Sequence, residues 1–266
     1  TVKDLEKNGE IEATYIRPSH DGQISIDDIR SAIKKNTILV SIMYVNNEVG
    51  TIQPIREIGA MLKKQTRKIY FHTDAVQAIE YCNVDVNQLN VDLLSCTAHK
   101  IYGPKGVGVL YIKAGVPIKP QITGGGQERG MRAGTENTAG IVGFAKAIEL
   151  ISAEKKTGFN SKLSVLRDRL IDGILKSISK SQLNGEMKNL SPAIANISFE
   201  NAEGESVLLY LDNKGIAVST GSACTSRTLE PSHVLSAMGI KPENAHGSIR
   251  FSLGRKTSKQ DIDKVL

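Results

Sequence analysis

The chain has 266 residues, 40% hydrophobic and 23% charged, which describes a globular protein of one large domain or two modest ones. A formal charge of +6 comes without any block of Lys or Arg and with only 5% aromatic residues, so nucleic-acid binding is not expected as the main role. No run nears the roughly 18 apolar residues of a membrane span, the opening "TVKDLEKNGE" lacks a signal-peptide pattern, and Cys82, Cys96 and Cys224 form no C-x-x-C pair. Those features argue against a disulfide framework or structural zinc and for a reduced, cytoplasmic setting.

In chain order, "ISIDDIRSAI" places Ile26, Ile29 and Ile33 at helical spacing, and "TILVSIMYV" reads as a strand. "PIREIGAMLKK" opens with Pro54 and repeats Ile55, Ile58 and Leu62, the pattern of an amphipathic helix. "KIYFHTDAV", "VDLLSCTA" and "VGVLYI" read as three further strands. The alternation predicts an α/β architecture with a largely parallel sheet. After the loop "TGGGQERGMRAGTEN", a helix from about Thr138 to Lys155 is expected to carry Ile141, Phe144, Ile148 and Ile151 on one face. A long amphipathic helix around Leu163 to Ile178 then begins a second unit, with strands expected near "AIANISF", "IAVST" and "SIRFSL". The division falls near residue 155: a large domain, expected to bind the ligand, over residues 1–155 and a smaller α+β domain over 156–266. The first residue is not Met, and the last helix, opened by the capping pattern Ser258-x-x-Asp261, stops after about two turns. The chain therefore reads as part of a longer protein.

The chemistry lies in a constellation. "FHTDAVQA" ends a strand with Asp74 and has Gln77 three residues on; the next strand ends with Thr97, His99 and Lys100. The glycines Gly103, Gly106 and Gly108 do not form a mononucleotide phosphate loop, since no Lys-Ser or Lys-Thr follows them. Neighbouring parallel strands bring an acid and a lysine to one sheet edge, the edge at which open α/β sheets bind ligands. A lysine can form a Schiff base with an aldehyde cofactor, and an aspartate can keep a pyridine nitrogen protonated so that the ring accepts electrons. Pyridoxal phosphate needs that pair, with phosphate donors such as Thr97 and His99 beside it. Each residue also has a plainer reading: Asp74 as a local cap, His99 as a satisfied imidazole, Thr97 as sheet packing.

"VNNEVGTIQPI", "FHTDAVQA", "SCTAHKIYGPKGVGVLYI", "GGGQERGMRAGTEN", "STGSACTS" and "SIRFSLGR" stand in the order found in cysteine desulfurases of the NifS/IscS type, and the chain resembles that family over nearly its whole length. The resemblance implies a fold-type I pyridoxal phosphate enzyme of the class V aminotransferase group, its large domain lacking the amino-terminal part. It implies that Lys100 bonds the cofactor, that Asp74 pairs with the ring nitrogen, and that Asn47 and Gln77 contact the ring oxygen. Thr97 and His99 would hold the phosphate, Thr135 would reach the phosphate of the other subunit of a homodimer, and Asn47 and Arg250 would bind substrate. Catalysis would use Lys100, His99 and Cys224. L-cysteine would become L-alanine, leaving a persulfide on Cys224 for an iron–sulfur scaffold or a tRNA-thiolation partner, and Cys224 would be the candidate ligand of a shared iron–sulfur cluster.

Independently of the family, an Arg fork suits a carboxylate, and Cys224 lies among small residues, Gly221 to Ser226, that pack little and can move. Cys82 and Cys96 sit beside apolar sequence and read as small core residues. The family's amino-terminal Gly-Thr phosphate loop and cofactor-stacking histidine do not occur in these residues, which leaves two alternatives open. One is an inactive fragment or partner-binding subunit of the same fold. The other is a different pyridoxal phosphate enzyme, such as an aminotransferase or selenocysteine lyase.

Overall fold

The computed structural model describes residues 1–221 and 231–266. Ten α-helices are present among them: α1 Val2–Lys7, α2 Ile26–Ala32, α3 Ile55–Lys63, α4 Val86–Leu89, α5 Thr138–Lys155, α6 Phe159–Ser177, α7 Gly204–Asn213, α8 His233–Ala237, α9 Pro242–His246 and α10 Lys259–Val265. The strands are β1 Leu39–Met43, β2 Tyr70–Asp74, β3 Leu93–Thr97, β4 Gly108–Ile112, β5 Ser181–Leu183, β6 Ile194–Phe199 and β7 Ser248–Ser252. None of these helices is long and apolar enough to cross a membrane.

Two sheets form. The first has the order β1-β2-β3-β4, with β1, β2 and β3 parallel and β4 antiparallel to β3. Parallel pairing places the ends of β1, β2 and β3 at one edge: Met43 pairs with Asp74, and Asp74 with Ser95. The core under this sheet gathers Phe71, Ile55, Ile58, Ile101 and Phe144. The second sheet is antiparallel, β5-β6-β7, with Leu163, Leu170, Ile171, Ile197 and Ile249 at the centre of its own core. The α/β class and the mainly parallel first sheet match the expectation from sequence.

Two local expectations change. Helix α5 buries Gly140, Phe144, Ala147 and Ile151, while Ile141 and Ile148 remain exposed. The reason is close approach: a Cβ added at Gly103 would meet Ala147 Cβ at 3.2 Å, and one at Gly143 would meet Pro104 Cγ at 3.0 Å. The helix docks through its small residues onto the turn after β3, which rotates two isoleucines outward. The run "IAVST" forms no strand; its Ser219 makes one isolated bridge to Arg250 before Gly221, at φ 54, turns the chain.

Candidate active site

The site is built where β1, β2 and β3 end. Asp74 closes β2, and one carboxylate oxygen accepts the Val76 N–H at 2.9 Å, an Asx turn that sends the chain away from the sheet. Its second oxygen takes no hydrogen bond among the described residues, so the group is both oriented and available. Gln77 follows, half-buried, within the turn that Ala78 and Ile79 close on the Ala75 carbonyl.

Thr97 closes β3 and passes into a 3-10 turn, Ala98–Ile101, that carries His99 and Lys100, both exposed. Tyr102 ends the turn in the left-handed region at φ 65, and the Gly103 N–H returns to the Ala98 carbonyl at 2.9 Å. The Thr97 hydroxyl donates to the Val107 carbonyl at 3.1 Å and lies 2.9 Å from His99 Nδ1. A hydroxyl has one proton, so Nδ1 is the donor of that pair, which leaves Nε2 as the nitrogen for a ligand. Lysine, imidazole, hydroxyl and carboxylate thus share one sheet edge.

Asn47 follows β1 at the same edge, where Tyr44 N–H donates to the Asp74 carbonyl at 2.8 Å. The second unit meets it there. Arg250, on β7, donates from Nη1 to the Asn47 carbonyl at 2.8 Å across 203 residues of sequence. Asn196 on β6 donates to the Glu48 carbonyl at 3.1 Å, and the buried Glu48 carboxylate accepts from Ser232 Oγ at 2.5 Å. Glu48 was not singled out in the sequence; a carboxylate following two asparagines gave no periodic signal to separate it from a surface charge.

Thr135 is exposed on the loop before α5, and no hydrogen bond joins it to the edge residues among the described residues. Cys224 lies outside the described residues. The other thiols behave as core groups: burial pushes Cys82 and Cys96 each up to about 11, which keeps them protonated and unreactive near neutrality.

Residues 1–265 match the family model "Aminotransferase class-V". The chain is 56% identical over 268 residues to "Cysteine desulfurase IscS" of Clostridium botulinum, covering all of this chain and 66% of that protein. It is 54% identical over 262 residues to the protein of the same name from Methanosarcina thermophila, covering 98% of this chain and 64% of that one. Among solved structures, a NifS-like protein superposes with a TM-score of 0.89 at 37% identity, covering 98% of this chain and 68% of that one. A second, described as SspA in complex with cysteine, gives 0.79 at 36% identity, over 95% and 69%. The chain spans just under two thirds of the length of the curated relatives it matches, and it belongs to the class-V aminotransferase family, alongside the IscS and NifS-like proteins.

Proposed function

We propose that the protein carrying this chain is a pyridoxal phosphate-dependent cysteine desulfurase. The observation that carries this reading is the joining of two units at one point: Lys100, Asp74, Thr97 and His99 on the first sheet's edge, with Arg250 brought onto Asn47 from the second sheet. The donor set fits the cofactor. Asp74 has an oxygen left for a ring N–H, Lys100 offers an exposed amine, and the Thr97 hydroxyl, which accepts from His99 Nδ1, would turn its own proton from the Val107 carbonyl to a phosphate. Bound there, the cofactor supplies an electron sink for the pair released at the substrate's α-carbon.

The chain's own residues do the rest. Lys100 Nζ takes the α-proton and returns a proton to the product; its exposed amine rises from the turn that follows β3, next in sequence to His99. Asp74 would hold the proton of the cofactor's ring nitrogen by charge, and Asn47 and Gln77 would supply its ring oxygen with hydrogen bonds. Arg250 fixes the substrate carboxylate, which aligns the α-carbon. The Cys224 thiolate attacks the sulfur of L-cysteine; the C–S bond breaks, the product leaves as L-alanine, and the sulfur stays as a persulfide on Cys224. That persulfide is passed to an acceptor protein, an iron–sulfur scaffold or thiolation partner. A shared iron–sulfur cluster would use Cys224 as its ligand on this chain. We place the division between cofactor and small domains at residues 155/156, and a cytoplasmic homodimer in which Thr135 serves the neighbouring subunit completes the reading.

Borohydride reduction of the cofactor-loaded protein tests it. A pyridoxyl group should be fixed on the peptide containing Lys100 and be absent from Lys100→Ala; label on Lys105 instead would overturn the assignment. Cys224→Ser should keep cofactor binding and the spectral response to cysteine yet accumulate no protein persulfide. Undiminished alanine production by that variant would favour a different enzyme on the same scaffold.

A further inference from the structure

Arg255 stands beyond the end of β7, five residues after Arg250, and reaches into the first unit. Its Nε lies 2.9 Å from Glu154 Oε2 on α5 and 3.4 Å from Glu80 Oε1 in the turn after β2. Its guanidinium carbon sits 4.5 Å from the centroid of the Tyr102 ring, and its backbone N–H donates to the Tyr102 hydroxyl at 3.0 Å. Gly254 makes the approach possible, since a Cβ there would stand 2.5 Å from that hydroxyl. Tyr102 in turn is the left-handed residue that closes the Lys100 turn. The proposed catalytic roles use none of these groups.

An exposed ion pair contributes little. Here Glu80 is 3% exposed, and burial pushes its carboxyl up while hydrogen bonds from Tyr81 and Arg255 pull it down. The guanidinium stacks on an aromatic ring, hydrogen-bonds Glu80 and stands at ion-pair distance from Glu154, so removing it would leave Glu80 a buried acid without its cation. Four segments meet on it: the turn after β2, the Lys100 turn, α5, and the chain leaving β7.

We propose that Arg255 is a positioning residue that ties the Lys100 turn, through Tyr102, to the strand carrying Arg250, so that the amine and the carboxylate clamp keep one separation. The roles of Lys100 and Arg250 rest on the proposed function; the mechanical tie stands on the contacts alone.

The test has one arm for each. In the chain itself, Arg255→Gln should speed amide exchange at Gly103, whose N–H closes the turn, by about tenfold or more, the factor carried by one charge-assisted hydrogen bond. Amides of β1 should not change. Arg255→Lys should recover part of the protection, since an ammonium keeps the charge but not the planar stack. In the cofactor-loaded full-length protein, Arg255→Gln should raise KM for cysteine by about tenfold with kcat held within about threefold, because a displaced clamp loosens carboxylate binding. Unchanged exchange at Gly103 would overturn the tie. A lower kcat at constant KM would overturn its link to substrate, since loss of folded enzyme alone produces that pattern. If Lys100 takes no label in the parent, the proposed function fails and the exchange arm alone decides. Should Arg255→Gln not fold, Tyr102→Phe keeps the stacked ring and removes only the hydroxyl acceptor; about a threefold change in both readouts is then expected, and none would overturn the proposal.

Discussion

His72 links three strands through one ring: Nδ1 lies 2.8 Å from Ser41 Oγ on β1, and Nε2 lies 3.2 Å from Ser95 Oγ on β3. Burial pushes its pKa below the ordinary 6.5, and the charge of Asp74 pulls the other way. The folded value therefore lies under the unfolded one. The stability this gives is present above about pH 6.5 and is lost as pH falls through the folded value. Urea midpoints at about pH 7.5 and about pH 5.5 check the sign: the parent should lose more stability across that interval than His72→Gln, and equal losses would remove the imidazole from the account. Asp74, two residues on, carries a sharper chemical expectation in the loaded full-length protein. Asp74→Asn keeps the shape and removes the charge, so loss of the substrate α-proton in a single turnover should slow by about tenfold to a few hundredfold. A rate within about twofold of the parent would return Asp74 to its Asx turn alone. The pairing of Asp74 with the Lys100 turn was legible in the sequence because two apolar runs each ended in polar residues and parallel strands align their ends. Glu48 and Arg255 were not, since their importance comes from partners 184 and 153 residues distant along the chain.

Helices and strands were readable where the apolar period alone chose the buried face. α3 is the clear case: Ile55, Ile58 and Leu62 are all buried as their spacing requires. α5 shows what periodicity does not weigh. Its buried face is set by how near Gly143 and Ala147 let the helix come to the Lys100 turn and the Gly103–Pro104 step after it, so size outranks hydrophobicity there. β5 is three residues long and "IAVST" makes one bridge, lengths at which pairing partners rather than propensity decide. Gly59 on α3 gives a test at this scale. A Cβ added there would run into the Leu89 carbonyl oxygen at the end of α4, a backbone atom that cannot swing aside. Gly59→Ala should cost about 1–3 kcal/mol by overpacking, which lowers the melting temperature by about 2–4 °C per kcal/mol in a chain of this size. Labelling of Lys100 should survive, because the clash lies between α3 and α4. A melting temperature equal to the parent's would show that the two helices can part freely.

Across the whole molecule, the stretch from Asn46 to Gln53 is where the two sheets are joined. The Ile52 N–H donates to the Asn189 carbonyl at 2.7 Å, and the Ser191 N–H to the Gly50 carbonyl at 2.8 Å. Arg250 and Asn196 hold the carbonyls of Asn47 and Glu48. Backbone of the first unit is thus satisfied by the second, and neither can leave without exposing polar groups that are now buried. Cooperative unfolding follows: the two cores should melt together although each has its own sheet. Asn196 is the most informative residue to remove, being fully buried and placed between Glu48 and Asn184, whose Nδ2 donates to Asn196 Oδ1 at 2.7 Å. Asn196→Ala leaves the Glu48 carbonyl and one of the two Asn184 Nδ2 protons without a partner, the other staying on Ser198 Oγ at 2.7 Å, and each buried unsatisfied group costs about 1–3 kcal/mol. The expected result is a loss of at least about 2 kcal/mol. Hydrogen exchange near the melting point should then show strands β6 and β7 opening before β2 and β3, because the tie lost is the one between the units. If all four strands still exchange in a single step, the remaining bonds at Gly50, Ile52 and Asn47 suffice to couple the cores, and Asn196 serves only its local network.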